Sequence, residues 1–333
     1  MNNILFAFLV LFPIIQINKM NETPEHFRTV DQLIWVVNDL DNVVDKWKEL
    51  GFQQINEFDI VTVKSQNNKK FEVKLAIANL GGANVTWIQP YSGSSVFSDF
   101  NDLYGNGVMS IVHRINLDTQ FQSEIEFLTT KGIDVLDVLT FTTPKGNFNL
   151  TLMDTYKKGK YVLGYVNSEN SVKLHQDLSA VNRYDLKINQ YAFAINKIKE
   201  ISDFWNTVRF PKFQINYPEL GETTYYNKIV EHKLIQGWQY HGEIAYEWCI
   251  PLKGPIVYTD HINLHGEGFH HLAFSVDNRI DEIINDYESI GYQNTMGGTW
   301  GQKGELGSGR YEYIDLENAG GISIEFLWNY KKE

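Results

Sequence analysis

GFHHLAFSVDNRIDEIINDYESIGY, residues 268–292, and RYEYIDLENAGGISIEFLW, residues 310–328, decide the fold of this chain. Leu272 to Val276 is a short apolar run of strand character, and Asp277 stands where a helix cap belongs. Ile280, Ile283, Ile284, Tyr287 and Ile290 follow at helical spacing and make one apolar face. Gly291 ends the helix. A stretch rich in Gly, Thr and Tyr then leads to a last strand, Ile322 to Leu327. The unit is a strand, a helix and several strands. Two polar residues stand where a strand core does not need them: His271 at the start and Glu325 inside ISIEFLW. Alternation puts Ile322, Ile324 and Phe326 on one face and Ser323, Glu325 and Leu327 on the other. The first set can pack on the helix. The second, with its carboxylate, calls for a polar environment or a ligand.

The pattern occurs three more times. VDQLIWVVNDLDNVVDKWKELGF (30–52) closes with NVTWIQP (84–90), and VMSIVHRINLDTQFQSEIEFLTTKGI (108–133) closes near YVLGYV (161–166). INQYAFAINKIKEISDFWNTVRF (188–210) closes with AYEWCIP (245–251). Behind each helix roughly 30 residues alternate or run apolar, enough for three strands. Four βαβββ units predict an α+β protein of two tandem domains, 27–166 and 187–330. Each domain is expected to be an open, cup-shaped mixed sheet with helices outside. One unit cannot bury its concave face alone, so two units pair and enclose a pocket. The polar stretch 167–186 joins the halves.

Laying the copies over one another singles out a constellation. His271 and Glu325 are 54 residues apart, as are Gln32 and Thr86, and Ser110 and Gly164; Gln190 and Glu247 are 57 apart. The C-terminal half thus offers Gln190, Glu247, His271 and Glu325, whereas Gln, Thr, Ser and Gly in the N-terminal half cannot hold a metal. Singly, a His at a strand start or a Gln is usually just a hydrogen-bonded residue. In register, one imidazole and three oxygen donors suit one divalent metal ion, Zn, Ni, Co or Mn. Ala192 and Ala194 share the face of Gln190, and Ala273 and Ser275 that of His271, which leaves room there. The N-terminal half is expected to be structural or to shape access. His270 should point away from His271 and be structural, while His261 and His265 read as solvated loop residues. Cys249 reads as a small buried hydrophobe. Arg310 could bind a substrate anion or pair with a nearby acid.

The 333 residues suffice for two domains, and 46 aromatic residues (8 Trp, 18 Tyr, 20 Phe) can fill their cores. A net charge of −12 with no basic stripe excludes nucleic acid as a partner. The one cysteine, Cys249, excludes an intramolecular disulfide and a thiolate zinc site. The apolar run from Ile4 to Ile15 is too short to span a bilayer and suits a secretory signal, although no Lys or Arg precedes it. Residues 1–22 are therefore expected to be a signal peptide or an N-terminal extension, with no stable membrane anchor. The protein is exported, periplasmic or extracellular, if that segment is a signal, and otherwise cytoplasmic.

GFHHLAFSVDN and DLENAGGISIEFLW, together with VDQLIWVVNDLDNVVDKWKELGF, resemble the vicinal oxygen chelate superfamily, and the resemblance runs from Val30 onward. That superfamily includes glyoxalase I, methylmalonyl-CoA epimerase, the extradiol dioxygenases and the bleomycin-resistance proteins. The ligand pattern is most similar to glyoxalase I and methylmalonyl-CoA epimerase. The resemblance implies a metal-dependent isomerase or lyase acting on a small oxygenated carbonyl compound through an enediolate-type intermediate. Glu325 or Glu247 would be the catalytic base. The four-unit layout is similar to extradiol dioxygenases, but those would want a histidine where Gln190 stands. A resistance-type protein would bind its ligand without chemistry. Basic residues for glutathione are not evident, position 194 being Ala and position 251 Pro. Because two paired domains already share one chain, a monomer acting on a small molecule is expected.

Overall fold

A computed structural model describes residues 23–331 of the chain. The apolar run at residues 4–15 lies outside the described residues. Among the described residues no helix is long and apolar enough to cross a membrane.

The first unit is β1 (Gln32–Val36), α1 (Leu40–Glu49), β2 (Ile55–Ser65), β3 (Lys70–Leu80) and β4 (Ala83–Ser92). After α2 (Val96–Tyr104) comes the second: β5 (Gly107–Ile115), α3 (Asp118–Thr130), β6 (Val135–Thr143), β7 (Gly146–Met153), the short α4 (Tyr156–Gly159) and β8 (Val162–Asn167). The third holds β9 (Lys187–Ala194), α5 (Ile198–Thr207), β10 (Gln214–Asn216), β11 (Leu220–Tyr225), β12 (Lys228–Ile229), β13 (Lys233–Gln239) and β14 (Ala245–Lys253). Following α6 (Val257–His265), the fourth is β15 (Gly268–Val276), α7 (Ile280–Ser289), β16 (Asn294–Trp300), β17 (Gly309–Leu316) and β18 (Ile322–Asn329). Three of the four units run strand, helix and three strands as the periodicities predicted, and in the third the stretch behind α5 is split into five strands.

The helix signals act locally. The Asp39 side chain accepts from the Asn42 amide at 3.1 Å and caps α1. Asp277 does not cap α7 as expected. Its carboxylate turns to the Arg279 amide and guanidinium, and Arg279 itself precedes the first turn. An Asx turn has outcompeted the cap.

The two sheets differ. The N-terminal one closes into an eight-stranded barrel, in the order β1-β4-β3-β2-β6-β7-β8-β5. Closure goes beyond the open cup expected, and it comes from the far end of β2, where Val63–Ser65 pairs with β6. In the C-terminal half the corresponding stretch is broken. β10 pairs with β13 at one edge of a ten-stranded sheet, and β11 pairs with β16 near the other. Pro218 sits in the break. It has no N–H to donate and a fixed φ, so the ladder ends there. Asn216 and Leu220 are four Cα steps apart, at most about 14 Å. The sheet edges are therefore held near each other without meeting, and the gap becomes the mouth of a cavity.

Side-chain alternation distributes residues between two kinds of core. On β1, Leu33 and Trp35 join a core shared with the helices, while Ile34 and Val36 point into the barrel. The shared core is continuous across both halves. Trp35 and Trp47 donate their indole N–H groups to the carbonyls of Gly320 and Ala319 at 2.7 and 2.9 Å. Trp205 donates to Gly159 at 3.0 Å and stacks on Tyr161. Unit one thus packs on unit four, and unit two on unit three. Gly320 is required here: its φ is +132°, and a Cβ would stand 2.8 Å from the Trp35 ring.

Candidate metal centre

Inside the C-terminal sheet the alternation leaves small and polar residues. β14, β9, β15 and β18 are consecutive neighbours. On the parallel pair β9/β14, Ala245 lies opposite Gln190 and Glu247 opposite Ala192. On the parallel pair β15/β18, Ser323 lies opposite His271 and Glu325 opposite Ala273. The middle strands are antiparallel, with His271 opposite Ala192 and Ala273 opposite Gln190. Each position is two residues from its neighbour's equivalent, so all four side chains leave the same face. Tyr191, Phe193, Leu272 and Phe274 leave the other face and fill the shared core.

Gln190, Glu247, His271 and Glu325 meet at one point. They are 4, 2, 0 and 4% exposed, so their charges are almost wholly removed from water. The donor atoms of Glu247, His271 and Glu325 all lie within 4.8 Å of one another. His271 Nε2 is 3.2 Å from Glu325 Oε2 and 3.6 Å from Glu247 Oε2, yet it makes no aligned hydrogen bond with either. Gln190 Nε2 donates to Glu247 Oε2 at 2.8 Å and to Glu325 Oε2 at 3.1 Å. Gln236 donates to the other Glu247 oxygen at 2.6 Å.

Two buried carboxylates facing one point need positive charge between them. Burial disfavours the His271 imidazolium, but the Glu247 and Glu325 carboxylates beside it outweigh this and hold it up to about 9. Burial also raises the Glu325 carboxyl above its usual range, against the pull of His271. A proton on His271 is thus what balances the cluster by itself. A divalent cation would do the same with the donor set reversed in role, each group offering a lone pair. The Gln190 amide, turned about its last torsion, presents its oxygen to the same point. The cluster is chemically able to hold a metal ion.

A pH dependence follows from these charges. A metal ion taken up here would have to displace the His271 proton, which is in place below about pH 9. Apparent affinity should rise about tenfold per pH unit between pH 6.5 and 8.5 and flatten above 9, with about one proton released per ion at pH 7.5. Titration calorimetry in buffers of different ionisation enthalpy measures that proton. The stability sign is the complement. A raised pKa stabilises the metal-free fold below pH 6.5, and that contribution is lost as the pH climbs through 9.

Several neighbours were not legible in the sequence. His270 does not point away from His271. A β-bulge at Phe269–His271 leaves His270 out of the ladder, and its Nδ1 lies 2.7 Å from His271 Nδ1. His270 also bonds the Val257 carbonyl, and burial with its neighbouring imidazoles keeps it neutral. With His271 Nδ1 committed to His270, the lone pair of Nε2 is left for the cluster. His261 and His265 are not solvated loop residues. Both lie on α6, where His261 sits edge-on to His270 and His265 bonds the Tyr104 carbonyl and Glu317. Tyr258 and Tyr313 hydroxyls are 2.7 Å apart, and Tyr313 reaches Glu325. Of these groups only Gln236 had a signal, an amide between apolar residues of one strand, KLIQGWQ. Cys249 is buried, and burial pushes its thiol well up, so it is inert. Arg310 pairs with Glu312 and Asp281, both at 2.6 Å.

The matching positions in the N-terminal barrel are spent on one another. Gln32 Oε1 accepts from the Thr86 hydroxyl. A Cβ at Gly164 would stand 2.8 Å from Ser110 Oγ, so no longer donor fits there. The linker closes what remains: Leu174 enters the barrel core, and His175 bonds the Val85 carbonyl at 2.8 Å beside Thr86. Replacing Gln32 by Ala should leave the metal content unchanged. It should cost about 1–3 kcal/mol of stability through the buried Thr86 hydroxyl left without its acceptor. Elemental analysis and denaturant unfolding check the two parts.

No protein-family model matches the chain, and no curated protein matches it. Solved structures do. A triple mutant of 4-hydroxymandelate synthase from Streptomyces coelicolor is similar at a TM-score of 0.56 and 10% identity, over 92% of this chain and 94% of that one. The chain has the vicinal oxygen chelate fold. A xylose isomerase-like TIM barrel/4-hydroxyphenylpyruvate dioxygenase fusion protein shares this fold at a TM-score of 0.50 and 13% identity, over 92% of this chain and 50% of that one. A Mn(II)-bound glyoxalase from Novosphingobium aromaticivorans is similar at a TM-score of 0.47 and 10% identity, over 91% and 83%. Among the described residues the candidate metal ligands, Gln190, Glu247, His271 and Glu325, lie in the C-terminal half.

Proposed function

We propose that the protein is a divalent-metal-dependent isomerase or lyase that moves a proton beside the carbonyl of a small oxygenated compound. The observation that supports this reading is the buried meeting of Gln190, Glu247, His271 and Glu325, of which Gln190, Glu247 and Glu325 line a cavity of about 550 Å³. Those four residues would hold the ion, with Zn, Ni, Co and Mn all compatible with one nitrogen and three oxygen donors. When bound, such an ion supplies Lewis-acid polarisation of a substrate carbonyl.

Glu325 is the better base of the two carboxylates. Glu247 accepts hydrogen bonds on both oxygens, from Gln236 and Gln190, which fix its orientation. Glu325 accepts from Gln190 and Tyr313, and burial raises its carboxyl above the usual range, so it takes up a proton more readily. It takes the proton from the carbon beside the carbonyl and returns it to that carbon or its neighbour. Tyr313, beside Glu325 and Tyr258, keeps a hydroxyl facing the same cavity.

The test is elemental analysis of the purified full chain, followed by a solvent-deuterium exchange screen of carbonyl compounds with the metal-loaded protein. Equimolar metal and exchange at the carbon beside the carbonyl are expected. Metal-free protein that still binds its ligand would instead mark a resistance-type binding protein. A second reading, an extradiol-type dioxygenase, draws on the two neighbours whose names belong to aromatic-acid oxygen chemistry. The donor set weighs against it, because iron(II) oxygenases of the facial-triad kind use two imidazoles and one carboxylate. Oxygen uptake by iron-loaded protein decides between them. Since one chain carries the whole cluster, we further propose a working monomer, checked by sedimentation mass.

A further inference from the structure

The charge of the cavity limits what can enter it. Its lining holds three carboxylates, Glu219, Glu247 and Glu325, and no lysine or arginine among the described residues. His232 forms part of the wall, but burial lowers its pKa, so it carries no charge at neutral pH. Cations on the flanking strands are already engaged. Arg310 is paired with Glu312 and Asp281, and Lys253 and Lys233 lie at the surface beside Glu231. Even with a divalent ion in place, three carboxylates leave the cavity net negative. A carboxylate or phosphate on the ligand would enter with no counter-charge except the ion itself. It would lose its hydration to a wall of aromatic rings and amides.

What the wall does offer is flat apolar surface and neutral hydrogen-bonding groups. Trp238 and Tyr240 lie nearly parallel, ring centroids 5.9 Å apart at 9°, and Trp300 and Met296 also line the space. Asn216 and Gln236 supply amides. Such a wall suits a ring or planar chain stacked on the aromatics, with its carbonyl oxygen directed to the cluster.

We propose that the substrate is an electrically neutral carbonyl compound with a flat, largely apolar body, carrying no carboxylate or phosphate. Carboxylic acids, phosphate esters, and glutathione or coenzyme A conjugates are then disfavoured by charge. The inference deepens the proposed function and rests on its reading of the cluster as the place where substrate oxygens are held.

The test compares two probes of the same size and ring, 2-hydroxyacetophenone and benzoylformate. Both present adjacent oxygens, and only the second is an anion. Calorimetric titration of the metal-loaded full chain at pH 8 should show the neutral probe binding at least about tenfold more tightly. Equal or tighter binding of benzoylformate, or binding of neither probe, overturns the proposal. Metal content measured on the same sample separates the two ideas. If no metal is held, the metal centre fails, and the same pair of titrations on that metal-free protein still judges the charge argument. Asn329→Arg adds a cation at the exposed rim of the cavity. It should raise benzoylformate affinity about tenfold and leave 2-hydroxyacetophenone within about twofold. An unchanged preference in this variant would show that charge does not discriminate.

Discussion

Protein carrying His271→Ala should leave purification without tightly held divalent metal. His271 is the one nitrogen donor in the cluster, and it is fully buried with Nε2 aimed between Glu247 and Glu325. Its removal leaves two carboxylates and an amide, a donor set that water-rich hard cations accept only weakly when so little of it is exposed. The loss should exceed the 10–100-fold typical of groups that only orient a ligand, so at least about 100-fold in affinity is expected. Competition against a chromophoric chelator measures it, with far-UV circular dichroism as the check on folding. The metal-free fold of the variant should also lose the raised His271 pKa. Its stability should therefore no longer decline between pH 6.5 and 9, as that of the metal-free parent should. Equimolar metal in the variant would remove His271 from the site.

The second large effect concerns proton transfer. Glu325→Gln keeps size and one oxygen donor but cannot take up a proton. Turnover should fall about 10²–10⁴-fold, and solvent deuterium should no longer appear in the substrate. Metal should be retained in part, because Gln190, Glu247 and His271 remain. Glu247→Gln is the informative partner. It removes the carboxylate that Gln236 and Gln190 hold by both oxygens, so its main effect should be on metal affinity. If Glu247→Gln abolished exchange while Glu325→Gln did not, the two roles would have to be swapped.

The cluster was legible because it depends on a local rule. Along one strand successive side chains leave opposite faces, so Gln190 with Ala192, and Glu247 with Cys249, share a side whatever the sheet does next. The repeat then aligned four such strands, and the near-constant 54-residue spacing placed His271 and Glu325 on the face that Gln190 and Glu247 use. The same rule told bulky from small: Tyr191 and Phe193 went to the helices, Ala192 and Ala194 to the cavity side. Where a residue's fate hung on a partner strand, the sequence had no means to declare it. His270 was assigned by parity to the opposite face, but a bulge against β9 took it out of the ladder and set it on His271. The closure of the N-terminal barrel turns on three residues of β2 finding β6, some 70 positions away. Pro218 is visible in the sequence, yet its effect, an open mouth, depends on β11 reaching β16 across the sheet. The linker's Leu174 and His175 read as polar-tract residues until the barrel end they fill exists. Periodicity and residue type, being local, determined the units, their helical and strand faces and the shared face of Gln190, Glu247, His271 and Glu325. Closure, bulge, plug and mouth are contacts between distant segments, and only the tertiary structure decided them.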